Sequence, residues 1–405
     1  MKVLYVFGGI PPYANALLNK LVDKGVEIVV VIPPEKSAMI GKGVKVIDRE
    51  EANYRVITDE EKKGVLNKAG FKHLVSILRD EKPDILVAGW PFFLQYFFQP
   101  RLRKVLKENN TKFVMREIPF QVPPYGKLGS YYREHPVFDE DMNLLSDGLL
   151  FCIRQWFVAK IRKYCYSHAD GVLVYSSIGK DILPTYNIPE EMVFVTYNAN
   201  DSDELLRIRE ELAGEEPCLP RNSRRVIHIG RLVKWKRVDL LIDAFSRVVR
   251  RFPDAELLVV GDGPELENLK KQARDLKIEE RVVFTGGVYD NATIGRYLLA
   301  SSVYVLAGMG GLSINDAMTF SLPVICSVCD GTEHDLVGDG VNGFLFREND
   351  AADLSEKIIA LFNDPLLRAR MGERSFEIIR DKVNLDSVSD RYIAAFKSIL
   401  SLCTG

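Results

Sequence analysis

The chain has 405 residues, 47% of them hydrophobic, with a formal net charge of −2; this is apolar material for two ordinary cores, and too little charge for a nucleic-acid partner. No stretch approaches the roughly 20 uninterrupted apolar residues of a membrane-spanning helix. Six cysteines spread over this length make no disulfide framework, so reduced thiols and a cytoplasmic setting are expected. The start, MKVLYVFGGIPPY, has an apolar run too short for a signal peptide and reads as a first core strand. Residues 8–13 form a turn around Gly8 and Gly9, 14–24 a helix with Leu17, Leu18 and Leu21 on one side, and 27–32 a second apolar strand. Strand, helix, strand calls for a parallel sheet with helices on its faces. The series continues with a helix near 60–79, a strand at 85–88, a helix near 92–107 and a strand at 112–115.

Between 116 and 146 the rhythm fails, and IPFQVPPYGKLGSYYREHPVF takes over; loops this long in compact domains are usually functional. LLFCIRQWFVAKIRKY, 149–164, is an apolar helix carrying Arg154, Lys160, Arg162 and Lys163. Two readings stay open: a core helix, favoured because most such helices are packed, and a helix whose basic edge lies on an anionic membrane surface. RLRKVLK, 101–107, belongs to the same question. The first half closes with a strand at 171–175, a helix at 177–186 and a strand at 193–197. The first 200 residues carry 27 Lys and Arg against 23 Asp and Glu, a mild basic bias.

DSDELLRIREELAGEEPCLPRNSRR, 201–225, is charged and turn-rich and reads as a connector. A second α/β series follows: strand 226–229, helix 238–249, strand 257–260, helix 265–276, strand 282–284 and a helix near 294–299. At 303–307 an apolar strand empties into Gly308, Gly310 and Gly311, then a helix at 312–320 and another apolar run from Pro323. Closing helices are expected at 354–362, 366–379 and 392–400. Cys326 and Cys329 form a lone C-x-x-C at the end of an apolar run, read as packing and not as zinc ligands.

Two similar α/β halves imply a ligand cleft between strand ends. In HIGRLVKWKRVDLLIDAF, Arg231 and Lys236 follow a strand that ends in Gly230. Two fixed cations there can neutralise a diphosphate and stabilise charge growing on it; the alternative is a pair of solvated surface cations. In VVGDGPELENL, Gly263 and Pro264 make a turn that is structural or that offers backbone to a base or ribose. In the 303–346 stretch, backbone N–H groups at the helix start favour an anion. Asp316, one turn in, can accept from ribose hydroxyls, or it is an ordinary helix-start acid.

Taken in order and spacing, GRLVKWKRVDLLIDAF, VVGDGPELENL, VVFTGGV and GGLSINDAMTFSLPVICSVCDGTEHDLVGDGVNGFLF resemble the second domain of the retaining GT-B glycosyltransferases of glycosyltransferase family 4. ADGVLVYSSIGKDILPTYNIPEEMVFVTYNAND resembles the segment leading into that family's linker, with Asn198 at the matching Asn. The resemblance implies an α/β fold of two Rossmann-like parallel-sheet domains facing across a cleft: 1–200 on the acceptor side, a linker at 201–224, 225–380 for the nucleotide-sugar, and a helix at 381–405 returning to the first domain. It also implies transfer of a sugar from a UDP- or GDP-linked donor with retention, no cofactor and no metal. By position, Arg231 and Lys236 match the diphosphate-binding pair, the turn at Gly8 and Gly9 a loop facing the donor phosphates, and Gly311, Leu312 and Ser313 the backbone that holds phosphates and sugar. The family usually has two Glu residues eight positions apart, and here they are Gly308 and Asp316. Ribose binding survives that change; the role of the first Glu does not. The family's His after the fourth strand is also missing, since the chain reads FVMREIPF. Glu117 is therefore a candidate for sugar or acceptor contact, beside an ion pair with Arg116 as the structural reading. His334 and Asp335 are weaker candidates, and His73, His135, His168 and His228 are read as structural. The acceptor is expected to be a saccharide or lipid-linked saccharide met by the loop 117–138, with the protein at the inner face of a membrane. A degenerate binding subunit and a GT-B phosphorylase or epimerase are the rivals. A dinucleotide oxidoreductase is poorly supported, since FGGIPPYANALL lacks G-x-G-x-x-G.

Overall fold

A computed structural model describes the chain except residues 36, 38–45, 48, 64–68, 138–143, 147, 216–217, 221 and 402–405. It divides into two units: Met1–Asp139, Asn143–Asn198 and Leu385–Gly405 form the first, and Ala199–Asn384 the second.

In the first unit β1 (Lys2–Val6), α1 (Pro12–Asp23), β2 (Glu27–Ile32) and β3 (Arg55–Thr58) lead to a short antiparallel pair, β4 (Glu61–Lys63) and β5 (Ala69–Phe71). Then come α2 (Leu74–Glu81), β6 (Ile85–Gly89), α3 (Leu94–Phe98), α4 (Pro100–Glu108) and β7 (Lys112–Glu117). After α5 (Leu128–Glu134) and α6 (Leu149–Ser167), the chain adds β8 (Gly171–Val174), α7 (Gly179–Ile182) and β9 (Val193–Val195). Among the described residues seven strands make one parallel sheet in the order β3-β2-β1-β6-β7-β8-β9. The central strands are apolar throughout because helices cover both faces.

The second unit opens with α8 (Ser202–Leu212) and continues through β10 (Arg225–Ile229), α9 (Val238–Arg251), β11 (Glu256–Val260), α10 (Leu266–Asp275) and β12 (Val282–Gly286). Then follow α11 (Asn291–Leu299), β13 (Val303–Leu306), α12 (Leu312–Thr319), β14 (Val324–Cys326), α13 (Glu333–Leu336), β15 (Gly343–Leu345), α14 (Ala351–Asn363) and α15 (Pro365–Lys382). Its parallel sheet has the order β12-β11-β10-β13-β14-β15. The order reverses between β10 and β13, and in such sheets the crevice beyond the strand ends at that reversal receives ligands. The last helix, α16 (Leu385–Ser401), belongs to the first unit, where it packs along α1 and lays Ile399 against Gly171 at the start of β8.

Two parallel-sheet α/β domains are what the sequence predicts, but several elements differ. The helix expected near 60–79 is the β4–β5 pair followed by the eight-residue α2, and residues 64–68 lie outside the described part. The helix expected over 92–107 is two helices, because Gln99 is extended and Pro100 can start a helix but not continue one. The stretch 201–225, read as a connector with little core, contains α8. Asp201 caps it, accepting from the Glu204 N–H at 3.0 Å, and Leu205, Ile208 and Leu212 are buried against α11 and α12. Among so many charged residues, this apolar stripe at helical spacing was concealed. The loop 117–138 holds α5, and Phe138 lies outside the described residues.

Candidate functional site

The carboxyl ends of β10 and β11 are stitched together by backbone. Gly230 N–H donates to Val260 O at 3.0 Å, Leu232 N–H to Asp262 O at 2.9 Å, and Glu265 N–H to Leu232 O at 3.0 Å. A side chain on Gly263 would overlap the Leu232 carbonyl, so this glycine permits the close approach that fixes the loop after β10. That loop carries Arg231, whose guanidinium lies 5.8 Å from the Trp235 ring centroid, and ends in a 3-10 turn at Lys234–Lys236.

Lys236 reaches back across the sheet. Its side chain passes the Cα of Gly230, and its Nζ lies over Gly310, where a Cβ would collide with it. Burial lowers the Lys236 pKa and Arg231 adds to this, while Cys329 and Asp330 oppose it. Two neighbouring cations in a half-buried setting favour an anionic ligand.

Gly308 explains the missing glutamate. A Cβ there would overlap the Trp235 carbonyl oxygen and lie 2.8 Å from the Lys236 carbonyl carbon and 2.9 Å from Arg237 Cγ. Met309 N–H donates to Trp235 O at 2.8 Å. The chain after β13 thus packs main chain on main chain against the turn that holds Lys236, and no side chain fits between.

Gly311 caps α12. A Cβ on it would sit 2.6 and 2.7 Å from the Asp330 carboxylate oxygens and 2.8 Å from Thr332 Oγ1, so the loop after β14 lies against the helix start at Leu312 and Ser313. Tyr304, buried in β13, donates its hydroxyl to Ser313 Oγ at 2.6 Å. Asp316 accepts from Asn200 Nδ2 at 2.5 Å, and the same amide donates to Leu312 O at 3.2 Å. Burial pushes the Asp316 pKa up to about 6, against the lowering effect of Asn200. His228 donates through Nδ1–H to Val305 O at 3.0 Å, is fully buried, and has its pKa pushed down to about 4 by burial. It stays neutral beneath the site.

Arg231, Lys236, Gly230, Gly263, Gly308, Gly310, Gly311, Leu312, Ser313 and Asp316 are therefore gathered at one end of one sheet. Residues 214–377 match the family described as glycosyl transferases group 1. A Haemophilus influenzae protein named an uncharacterized glycosyltransferase is 30% identical over 40% of this chain and 48% of its own length. The N-acetyl-alpha-D-glucosaminyl L-malate synthase of Bacillus anthracis is 28% identical over 55% of each chain. The chain spans about half the length of these curated relatives. The solved structure of Anabaena HepE in complex with UDP superposes with a TM-score of 0.67 and 17% identity, covering 98% of this chain and 100% of that one. That likeness shows the fold.

In the first unit, Gly8 and Gly9 follow β1 at the reversal between β1 and β6. Both are buried, and Gly8 O accepts from Ser37 N–H at 2.8 Å. The ion pair expected between Glu117 and Arg116 is corrected. Glu117 is 2% exposed and accepts from the Tyr166 hydroxyl at 2.9 Å, with Arg162 Nε 3.4 Å away and the Arg162 guanidinium 5.1 Å from the Trp90 ring centroid. Burial raises its pKa, while Arg162 and Tyr166 resist. Its partner is Arg162 and not Arg116, because consecutive strand residues point to opposite faces. Arg116 turns toward Tyr13, Tyr5 and Tyr392, which hold its guanidinium charged despite burial. His334 is exposed, 3.9 Å from the buried Glu333, and Asp335 is half-buried in α13. Cys326 and Cys329 are buried free thiols.

Asn200 and Asp330 are the residues that sequence reasoning missed. Asn200 stands two positions after the Asn198 singled out by resemblance. Asp330 sits in a loop whose return to Gly311 depends on the pairing of β14 beside β13.

Proposed function

We propose that the protein transfers a sugar from a UDP- or GDP-linked donor to a saccharide or lipid-linked saccharide acceptor, with retention of configuration and without a metal, in the synthesis of a polysaccharide or glycoconjugate. The observation that carries this reading is Lys236 Nζ over Gly310, beside the start of α12 and one helical turn from Asp316. Arg231 and Lys236 bind the diphosphate and stabilise its charge as the bond to the anomeric carbon breaks. Backbone N–H groups at Gly311, Leu312 and Ser313 complete the anion site, and Asp316, oriented by Asn200, accepts from the ribose hydroxyls. The acceptor hydroxyl oxygen attacks the face the diphosphate leaves, its proton passes to the departing phosphate, and no protein nucleophile takes part. Main chain at Gly308 replaces the carboxylate that the resemblance leads one to look for.

Thermal denaturation with UDP, GDP and their sugars identifies the donor, since a ligand raises the melting point in proportion to the logarithm of its concentration over Kd. The Arg231→Ala, Lys236→Ala double variant is expected to lose several orders of magnitude in turnover with labelled donor, the scale of preorganised charge stabilisation. Near-normal turnover in that variant refutes the mechanism. Donor binding without transfer across a broad acceptor panel identifies a binding subunit instead.

A further inference from the structure

The amino-terminal half of α6 is exposed on an apolar face. Leu149 and Leu150 are 76% and 83% exposed, and Ile153, Trp156 and Phe157 are 44%, 49% and 52% exposed. At about 100° per residue these five occupy one arc of about 120°. The opposite arc supplies Val158, Ala159, Ile161, Arg162, Cys165 and Tyr166 to the core of the first unit. Leu144 and Leu145, just before the helix in the chain, are also exposed. Apolar groups contiguous over this length are uncommon on a free surface and mark contact with something.

The charges select the partner. The helix contains Arg154, Lys160, Arg162 and Lys163 and no acid. Arg162 is consumed by Glu117 in the interior, leaving three cations. On the same helical projection Arg154 and Lys163 flank the two margins of the apolar arc, and Lys160 stands at its carboxy-terminal end. Lys160 Nζ lies 5.2 Å from the Trp156 ring centroid, and Lys163 Nζ lies 4.3 Å from that of Tyr125. An apolar arc with aromatic residues and a cationic border is the pattern of a helix lying in a bilayer interface, where aliphatic groups enter the acyl boundary and cations meet anionic headgroups. A second copy fits less well: a two-fold pairing of this face sets the cations of one α6 beside those of the other, with no acid on either helix to meet them.

We infer that the exposed face of α6 docks the protein on an anionic lipid bilayer. Its bearing on the acceptor, a lipid-linked saccharide delivered from that surface, rests on the transferase reading; the lipid binding itself does not. Sedimentation of the full chain with phosphatidylcholine vesicles, with and without phosphatidylglycerol, tests it. The protein is expected to pellet with the anionic vesicles and remain in the supernatant with the neutral ones. The Leu149→Asp, Leu150→Asp variant is expected to lower partitioning on the order of 100-fold, the scale of exposing two leucines that lipid would bury. Lys160→Gln with Lys163→Gln is expected to cost about tenfold or more, since each cation near an anionic surface contributes severalfold. Melting temperature and the shift induced by UDP or GDP, whichever the wild type binds, serve as controls for folding and donor binding, and neither is expected to change. Absence of wild-type binding, equal binding to both vesicle types, or a dimer in solution that the Leu variant dissociates overturns the inference. No shift with UDP, GDP or any of their sugars, with vesicle binding intact, overturns the transferase reading alone.

Discussion

Replacing Gly308 by alanine tests whether backbone packing, and not a lost functional group, occupies the position after β13. The added methyl would overlap the Trp235 carbonyl oxygen and lie 2.8 Å from the Lys236 carbonyl carbon. Both are main-chain atoms, so relief requires the 234–236 turn to move. Overpacking of this kind costs about 1–3 kcal/mol, and losing the Met309 N–H bond to Trp235 O adds about 1 kcal/mol. At about 2–4 °C per kcal/mol for a unit of this size, the melting point should fall by roughly 4–16 °C. Calorimetry on wild type, Gly308→Ala and Gly308→Glu measures it directly. The glutamate variant is expected to melt no higher than the alanine variant and to show no gain in transfer, because the same movement carries Lys236 away from Gly310. A Gly308→Ala melting point within about 1 °C of wild type, or a Gly308→Glu variant with raised turnover, would falsify the packing argument.

Three further outcomes follow from the same geometry. Asp316 has its folded pKa raised from 3.8 to about 6, so its ionised form costs stability above that range and the cost vanishes below the unfolded value. Asp316→Asn should therefore melt higher than wild type at pH 7, with the difference closing as pH falls toward 4, while its donor binding is weaker throughout; a constant gap from pH 4 to 7 contradicts this. Asn200→Ala should weaken donor affinity through loss of the amide that orients the Asp316 carboxylate, with turnover at saturating donor largely kept, and steady-state kinetics separates the two. Glu117→Ala leaves the Arg162 guanidinium buried without its carboxylate and should cost about 3–5 kcal/mol in urea denaturation. If that variant kept full stability and lost transfer, Glu117 would belong to the reaction after all.

Most parallel strands of both units are legible in the sequence because each is a continuous apolar run bounded by glycine, proline or polar turns, as at 226–229 and 303–307; the edge strands β3 and β15 are not, being short and without such a run. The elements that escape such a reading do so for separate reasons. In α8 the apolar stripe of Leu205, Ile208 and Leu212 is interrupted by so many acids and bases that composition outweighs periodicity. In β4 and β5 the signal is three residues long and carries no alternation. At the site, Arg231, Lys236 and Asp316 stand out through their chemistry at strand and helix ends. Asn200 does not, because its partner is 116 positions away. Nor does the true partner of Glu117: a reader of FVMREIPF sees Arg116 next in the chain, while the strand sends the two side chains to opposite faces and gives Glu117 to Arg162.

The placement of α16 bears on the order in which the protein is made. Val388, Tyr392, Phe396 and Ile399 are buried in the first unit, and Lys24 Nζ meets Asp386 and Asp390 at 2.9 and 2.6 Å. A ribosome delivers residues 1–198 first, but α16 emerges only after Ala199–Asn384. The nascent first unit must therefore wait, with the faces of α1 and β8 that receive α16 still open, while the second unit is synthesised and folds. That interval is when the chain is most exposed to aggregation and to chaperones, so slowing translation across α8 to α15 would lengthen the hazard for the first unit rather than for the one being made.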